Sequence, residues 1–200
     1  MIPTPAAQAA SAVADRPVVP FKMAHLVLRC ADYRKVVNWY LIVFDARVVF
    51  ENDMVTFITF DDEHHRAAFV NTPDAPVKAP GHAGIDHVAY SFRTIGELLV
   101  HYERLKAASV QPVWCINHGP TTSIYYRDPE GTMIEFQVDN YADPADAAAF
   151  FHTPTFTNNP LGIEFNPDEM VRLWRSGKSD AELSVQGTAA RGGAPVGPIP

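Results

Sequence analysis

Two stretches of this chain read as copies of one another, and the repeat restricts the fold more than any other feature. Laying His25 over His87 sets Val36-Val37 over Leu98-Leu99 and Tyr40 over Tyr102 without a gap. Chance can match one histidine pair; it is less able to match the helix faces behind that pair as well. Self-similarity at a fixed offset marks a supersecondary unit that relies on its neighbour to complete a core. Each copy reads as strand, helix and three strands. In the first, Phe21–Arg29 alternates with His25, Val27 and Arg29 on one face, and Asp32 is placed to cap a helix running to about Val43. Val48–Glu51 and Val55–Phe60 form a hairpin around Asn52-Asp53, and His65–Val70 gives the last strand. In the second, Ile85–Phe92 carries His87, a helix capped near Thr94 runs to about Lys106, and residues 113–117, 123–127 and 132–138 are strands. The predicted class is α+β: two βαβββ modules, residues 21–70 and 84–140, joined by a proline-rich linker at 71–83 and facing each other as half-barrels.

The flanks carry no such pattern. Residues 1–20 are Ala- and Pro-rich and are expected to be a disordered arm. Residues 141–177 form an extension with a short Ala-rich helix capped by Asp143, a Thr/Asn/Pro loop at 153–160 and a last helix opened by Pro167. Residues 178–200 are expected to be a flexible tail. A chain of 200 residues with 47% hydrophobic content can bury a sizeable core. Its net charge of -7 excludes a general nucleic-acid binder, and no apolar run reaches the roughly 18 residues of a membrane span. The N-terminus has no basic stretch leading into an apolar core, so no signal peptide is expected. Cys30 and Cys115 lie far apart in strands, which predicts reduced thiols and a cytoplasmic protein.

The chemistry gathers around Asp128-Pro129-Glu130-Gly131, a tight turn leading into a strand with Met133, Glu135 and Gln137 on one face. Glutamate is depleted in strands, and a carboxylate among Met, Ile and Phe needs a partner to offset its desolvation. A metal ion is one such partner. His25 and His87, equivalent by the repeat, would complete two imidazoles and one carboxylate. Three ligands on one side of a metal leave open positions opposite, the arrangement of non-haem Fe(II) oxygenases. Mn(II) fits the same ligands, whereas Zn(II) more often takes four in a tetrahedron. Taken singly, either histidine reads as a hydrogen-bonded core or surface residue and Glu135 as a paired carboxylate; the three together favour metal.

Strand–helix–three-strand modules ending in Asp-Pro-Glu-Gly-x-x-Ile-Glu-Phe resemble the vicinal-oxygen-chelate superfamily over roughly residues 21–140. Its members include glyoxalase I, bleomycin- and fosfomycin-resistance proteins, certain epimerases and the type I extradiol ring-cleavage dioxygenases. Four local features are similar to the last of these. Ala24–Cys30 resembles the strand with the first iron-binding histidine and Asp86-His87-Val88 the second. Glu63–Phe69 resembles a His-His-x-x-Ala-Phe segment whose second histidine, here His65, is the acid/base over the iron. His118 and Tyr125 precede Glu135 as the family's substrate-contacting His and Tyr precede the carboxylate ligand. Without that resemblance His64-His65 reads as an exposed polar turn and Tyr125 as strand packing.

Setting Phe69 over Phe136 puts Ala68 where Glu135 sits in the second module, so a fourth ligand of the glyoxalase I kind is missing. The requirement is that His65 lies at a strand start or bulge, since alternation would otherwise point it away from the Ala68 face. The resemblance implies oxidative meta-cleavage of a small aromatic diol by O2, with Fe(II) on His25, His87 and Glu135 and with His65, Tyr125 and His118 handling protons and substrate. It also implies a homo-oligomer. Two other readings stand beside it: a lyase or epimerase of the same superfamily that consumes no O2, and a metal-free protein that binds an aromatic ligand. Trp114 and Phe156 are candidates for lining a pocket, and His82 and His101 read as linker and helix-surface residues.

Overall fold

The computed structural model describes residues 18–77, 79, 81 and 83–192. Most of the expected arm and the last eight residues lie outside the described residues, as does His82. In the first module β1 (Leu26–Cys30) leads to α1 (Tyr33–Phe44), β2 (Arg47–Glu51), β3 (Val55–Thr59) and β4 (Ala67–Asn71). In the second, β5 (His87–Ser91) leads to α2 (Ile95–Ala107), β6 (Trp114–Asn117), β7 (Thr121–Arg127) and β8 (Met133–Asp139). Among the described residues these make two sheets, ordered β1-β4-β3-β2 and β5-β8-β7-β6, the second extended by β9 (Ile163–Glu164) beside β6. No closed barrel forms, and no described helix is long and apolar enough to cross a membrane.

The ladders bear out the repeat residue by residue. β1 runs parallel to β4 with Val27 opposite Ala68, and β5 runs parallel to β8 with Ala89 opposite Glu135. The histidine offset carries Val27 onto Ala89, and the independent Phe69-over-Phe136 match carries Ala68 onto Glu135. Two alignments made on different residues therefore give one register, and Ala68 occupies the place of the carboxylate.

Helical spacing decides which faces are buried. α1 turns Tyr33, Val36, Val37, Tyr40 and Val43 inward, and α2 turns Ile95, Leu98, Leu99, Tyr102 and Leu105 inward. Both helices pack on the backs of their sheets in one continuous core with Ile58, Phe69, Ile124, Tyr126 and Phe136. Arg104 of α2 donates to the carbonyls of Ile42 and Val43 at 2.7 and 2.8 Å, meeting the negative end of α1 with a cation and tying the two modules together. The Asp128 turn adds a second tie. Asp128 Oδ1 accepts from the amides of Glu130 and Thr132, Gly131 takes φ +92°, and Glu130 accepts the amide of Asp32 at 2.5 Å. That carboxylate satisfies the amide of the N-cap residue itself, whereas the Asp32 side chain makes no capping bond.

Several expectations need correction. His101 is no helix-surface residue: it is 8% exposed, set between the rings of Phe136 and Phe92 at 4.3 and 5.0 Å. Burial, with the Arg104 cation beside it, pushes its pKa down to about 4, and Nε2 finds no hydrogen-bond partner among the described residues. A histidine held neutral binds fewer protons folded than unfolded, so its contribution is intact above about pH 6.5 and fades as pH falls toward 4. His101→Phe should therefore lose about 2 kcal/mol less stability than the native chain between pH 7 and pH 4.5. Denaturant unfolding of both proteins at the two pH values checks this; identical losses would show that His101 is not the acid-sensitive group.

Residues 153–160 are not all loop, because Thr153 caps α4 (Pro154–Asn158). The expected flexible tail is structured as far as 192. Ser179 and Glu182 make a capping box for α6 (Asp180–Leu183), Leu183 is fully buried, and Phe165 bridges Ala190. The remaining extension helices are α3 (Pro144–Phe150) behind Asp143 and α5 (Pro167–Arg175), and α6 after them means that the helix opened by Pro167 is not the last.

Candidate metal and diol site

The second sheet builds its half of the site on the face turned away from α2. β8 places Glu135 opposite Ala89 on one side and Tyr125 on the other, and β7 in turn sets Tyr125 opposite Trp114. Trp114, Ile116, Tyr125 and Met133 form a small buried cluster of their own, which leaves Glu135 only 4% exposed. His87 opens β5 and brings Nε2 to 3.1 Å from Glu135 Oε2. Its other nitrogen, Nδ1, lies 2.7 Å from the Asp86 carboxylate. A carboxylate only accepts, so Nδ1 carries a proton toward Asp86 and Nε2 is the nitrogen left facing Glu135. Two acceptors that close require a cation, either a proton or a metal ion. An imidazole nitrogen and a carboxylate oxygen, oriented from behind by a second carboxylate, fit a divalent metal.

Tyr125 stands beside this pair, its ring 5.3 Å from that of His87. Burial and the neighbouring Glu135 carboxylate push its phenol well above the ordinary range, so it keeps its proton. Its Oη lies 3.0 Å from Nε2 of His118, whose Nδ1 is 2.5 Å from the carbonyl of Leu161. Burial holds the His118 imidazole below its usual pKa.

The first sheet contributes the other half. His25 lies just before β1 rather than inside it, because the carbonyls of Met23 and Ala24 accept from Arg66 Nη1 at 2.9 and 3.1 Å instead of joining a ladder. His65 also lies outside its strand: β4 begins at Ala67, so alternation does not dictate where His65 points and the requirement for an irregular backbone is met. Its ring stacks on His25 at 4.6 Å and on Phe57 at 4.9 Å. Partial burial and the adjacent His25 and His64 rings lower its pKa. His64 is exposed and reaches His65 ring to ring, Nδ1 to Nδ1, at 2.6 Å.

The expected ligands are thus gathered in part. His87 and Glu135 meet with Tyr125 and His118 beside them, and His25 meets His65. Among the described residues no three His, Cys, Asp or Glu side chains stand together at metal-ligand distances, so His25 is not joined to the other two. Sequence reasoning assigned no role to Asp86, Arg66 or Leu161. Asp86 could have been read as the carboxylate next to a candidate ligand; a backbone carbonyl leaves no mark in a sequence.

A protein-family model, Glyoxalase/Bleomycin resistance protein/Dioxygenase superfamily, matches residues 22–136. Biphenyl-2,3-diol 1,2-dioxygenase 2 of Rhodococcus globerulus is 45% identical over 147 residues, covering 73% of this chain and 77% of that protein. Biphenyl-2,3-diol 1,2-dioxygenase 3 of the same organism is 36% identical over 172 residues, covering 85% and 90%. Among solved structures, a glyoxylase/bleomycin resistance protein/dioxygenase domain from Frankia sp. EAN1pec has a TM-score of 0.52 at 16% identity, over 62% of this chain and 96% of that one. The fosfomycin resistance protein FosX of Listeria monocytogenes, complexed with Mn(II) and sulfate, has a TM-score of 0.50 at 16% identity, over 67% and 100%. At that identity the two structures speak for the fold alone.

Proposed function

We propose a reaction from the premise that this chain belongs to the Glyoxalase/Bleomycin resistance protein/Dioxygenase superfamily. It is an extradiol ring-cleavage dioxygenase: it breaks the carbon–carbon bond beside the two hydroxyls of an aromatic diol and leaves both atoms of O2 in the product. The observation that carries the reading is the His87–Glu135 pair, whose glutamate stands where the first module has Ala68. His25, His87 and Glu135 would hold the metal, and three protein ligands would leave positions for a diol. Fe(II) is the metal of this proposal, with Mn(II) able to take the same ligands. When bound, it supplies the redox chemistry that joins an electron-rich diol to O2.

The chain's own residues supply geometry and protons. The Asp86 carboxylate fixes the His87 ring so that Nε2 faces the metal position. Tyr125, kept protonated, donates a hydrogen bond to a diol oxygen. His65, neutral near pH 7, accepts a diol proton and returns one to an oxygen of the product, a task suited to an imidazole. His118 orients the substrate through its contact with Tyr125. The substrate class is a 2,3-dihydroxybiaryl, since both curated relatives are named for biphenyl-2,3-diol. The protein acts in the cytoplasm, in keeping with two buried, free cysteines. It works as a homo-oligomer, a second copy covering the apolar face of the first sheet where Val27 and Phe50 are 51% and 48% exposed.

Oxygen-electrode assays of Fe(II)-loaded protein with 2,3-dihydroxybiphenyl and with catechol test the reading. The expected result is one O2 consumed per diol, a yellow product and a higher kcat/KM for the biaryl. Turnover without O2 would favour the lyase or epimerase alternative, and tight diol binding with no product the metal-free binding protein.

A further inference from the structure

Residues 141–192 have no counterpart in the repeat, yet one short part of them touches the site. We infer that the loop Asn159–Gly162 is a positioning element for the diol-cleaving site: Asn159 shapes it so that the Leu161 carbonyl holds His118 in one tautomer.

A neutral imidazole has one donor and one acceptor nitrogen. The Leu161 carbonyl, 2.5 Å from His118 Nδ1, can only accept, so the proton sits on Nδ1. Nε2 is then the acceptor and takes the Tyr125 hydroxyl at 3.0 Å. The opposite tautomer would set a lone pair against the carbonyl and an N–H against the phenol, leaving the buried Glu135 carboxylate, already bonded to the Tyr125 hydroxyl, as its sole acceptor of the two. One backbone carbonyl thereby gives the Tyr125 proton a second acceptor, His118 Nε2, beside the Glu135 carboxylate, and holds it there until a diol oxygen takes its place.

The loop is built to hold that carbonyl still. Asn159 Oδ1 accepts the amide of Gly162 at 3.1 Å, and its Nδ2 donates to the Gly162 carbonyl at 2.5 Å, closing both polar ends of one residue with one side chain. Gly162 sits at φ +107°, where a Cβ would fall 2.2 Å from the Asn117 carbonyl oxygen and 2.7 Å from His118 Cα. β9 follows at once and pairs Ile163 with Asn117, so the loop is stitched to the strand that ends beside His118. Asn159 touches neither the diol position nor the metal ligands; it acts through His118.

This inference rests on the dioxygenase reading for its kinetic part only, and its first readout needs neither metal nor substrate. Long-range 15N–1H NMR of the full chain should show His118 protonated on Nδ1, the minor form of free histidine. Asn159→Ala should shift part of the population to the Nε2–H form and lower kcat about tenfold, the scale of one hydrogen bond, with KM nearly unchanged. Asn159→Asp, which keeps the acceptor for Gly162 and loses the donor, should fall between the two. In a His118→Gln background Asn159→Ala should cost less than about twofold, since there is no tautomer left to set. His118 protonated on Nε2 in the native chain overturns the inference, as does an undiminished loss in the His118→Gln background. Because the NMR readout is independent of turnover, an inactive enzyme with an Nδ1-protonated His118 would count against the dioxygenase reading and not against this one.

Discussion

Glu135→Gln is expected to abolish ring cleavage while leaving the metal-free protein as stable as before, or more so. The two effects come from one physical situation. Glu135 is a carboxylate 4% exposed, lodged among Trp114, Ile116, Tyr125 and Met133, and its near neighbour is Nε2 of His87 at 3.1 Å. Without metal that is an expensive place for a negative charge. Glutamine keeps the shape, removes the charge and can donate to His87, so the thermal midpoint of metal-free protein should hold or rise. With metal the balance reverses, because an amide is a poor substitute for an anionic ligand. Turnover at saturating Fe(II) should drop by about 1000-fold or more, the rate equivalent of about 4 kcal/mol. Calorimetric Fe(II) titration and oxygen uptake on the same preparations measure both sides. A variant that keeps a tenth of the native activity would remove Glu135 from the ligand set.

This opposition between stability and function is also why the site was partly legible in the sequence. Glu135 stands out because it breaks the preference of an apolar strand, and the repeat then supplies His87 and the empty counterpart at Ala68; the sheet registers give Ala68 and Glu135 equivalent places, opposite Val27 and Ala89. The Asp128 turn was legible for a similar reason: Pro129 and Gly131 allow few other conformations. What escaped was whatever depends on contacts made across the chain. His101 was assigned to the surface on residue type, although it falls on the stripe of Leu98, Tyr102 and Leu105 and its spacing pointed inward. The tail from 178 looked flexible because its composition is Gly/Ala/Pro-rich; a capping box and one fully buried leucine were enough to order it as far as 192. The strands expected from Phe21 and from His65 begin later, at Leu26 and Ala67, and nothing in the sequence shows that Arg66 would take the carbonyls of Met23 and Ala24. That displacement has a benefit. A histidine outside a strand is free of the two-residue alternation and can turn over its neighbour.

His65→Ala should separate proton transfer from metal binding. Its ring is packed between His25 and Phe57, yet it makes no ligand pair of the kind that His87 makes with Glu135. Removing it should therefore leave Fe(II) affinity within about twofold, while turnover falls at least about 100-fold, the low end of general acid–base contributions. The neighbouring His64 provides the control. It is exposed and reaches the site only through its hydrogen bond to His65, so His64→Ala should cost less than about fivefold. The pH profile distinguishes a proton carrier from a packing residue. Partial burial, His25 and His64 hold the His65 pKa below that of free histidine, so the native enzyme should keep its basic form, and its rate, to a more acidic pH than an ordinary imidazole would allow. The acid limb of kcat should disappear in His65→Ala, and small imidazole buffers should restore part of the rate. A full rate in His65→Ala, or a loss that tracks Fe(II) occupancy, would make this histidine a wall of the site and leave the proton to another group.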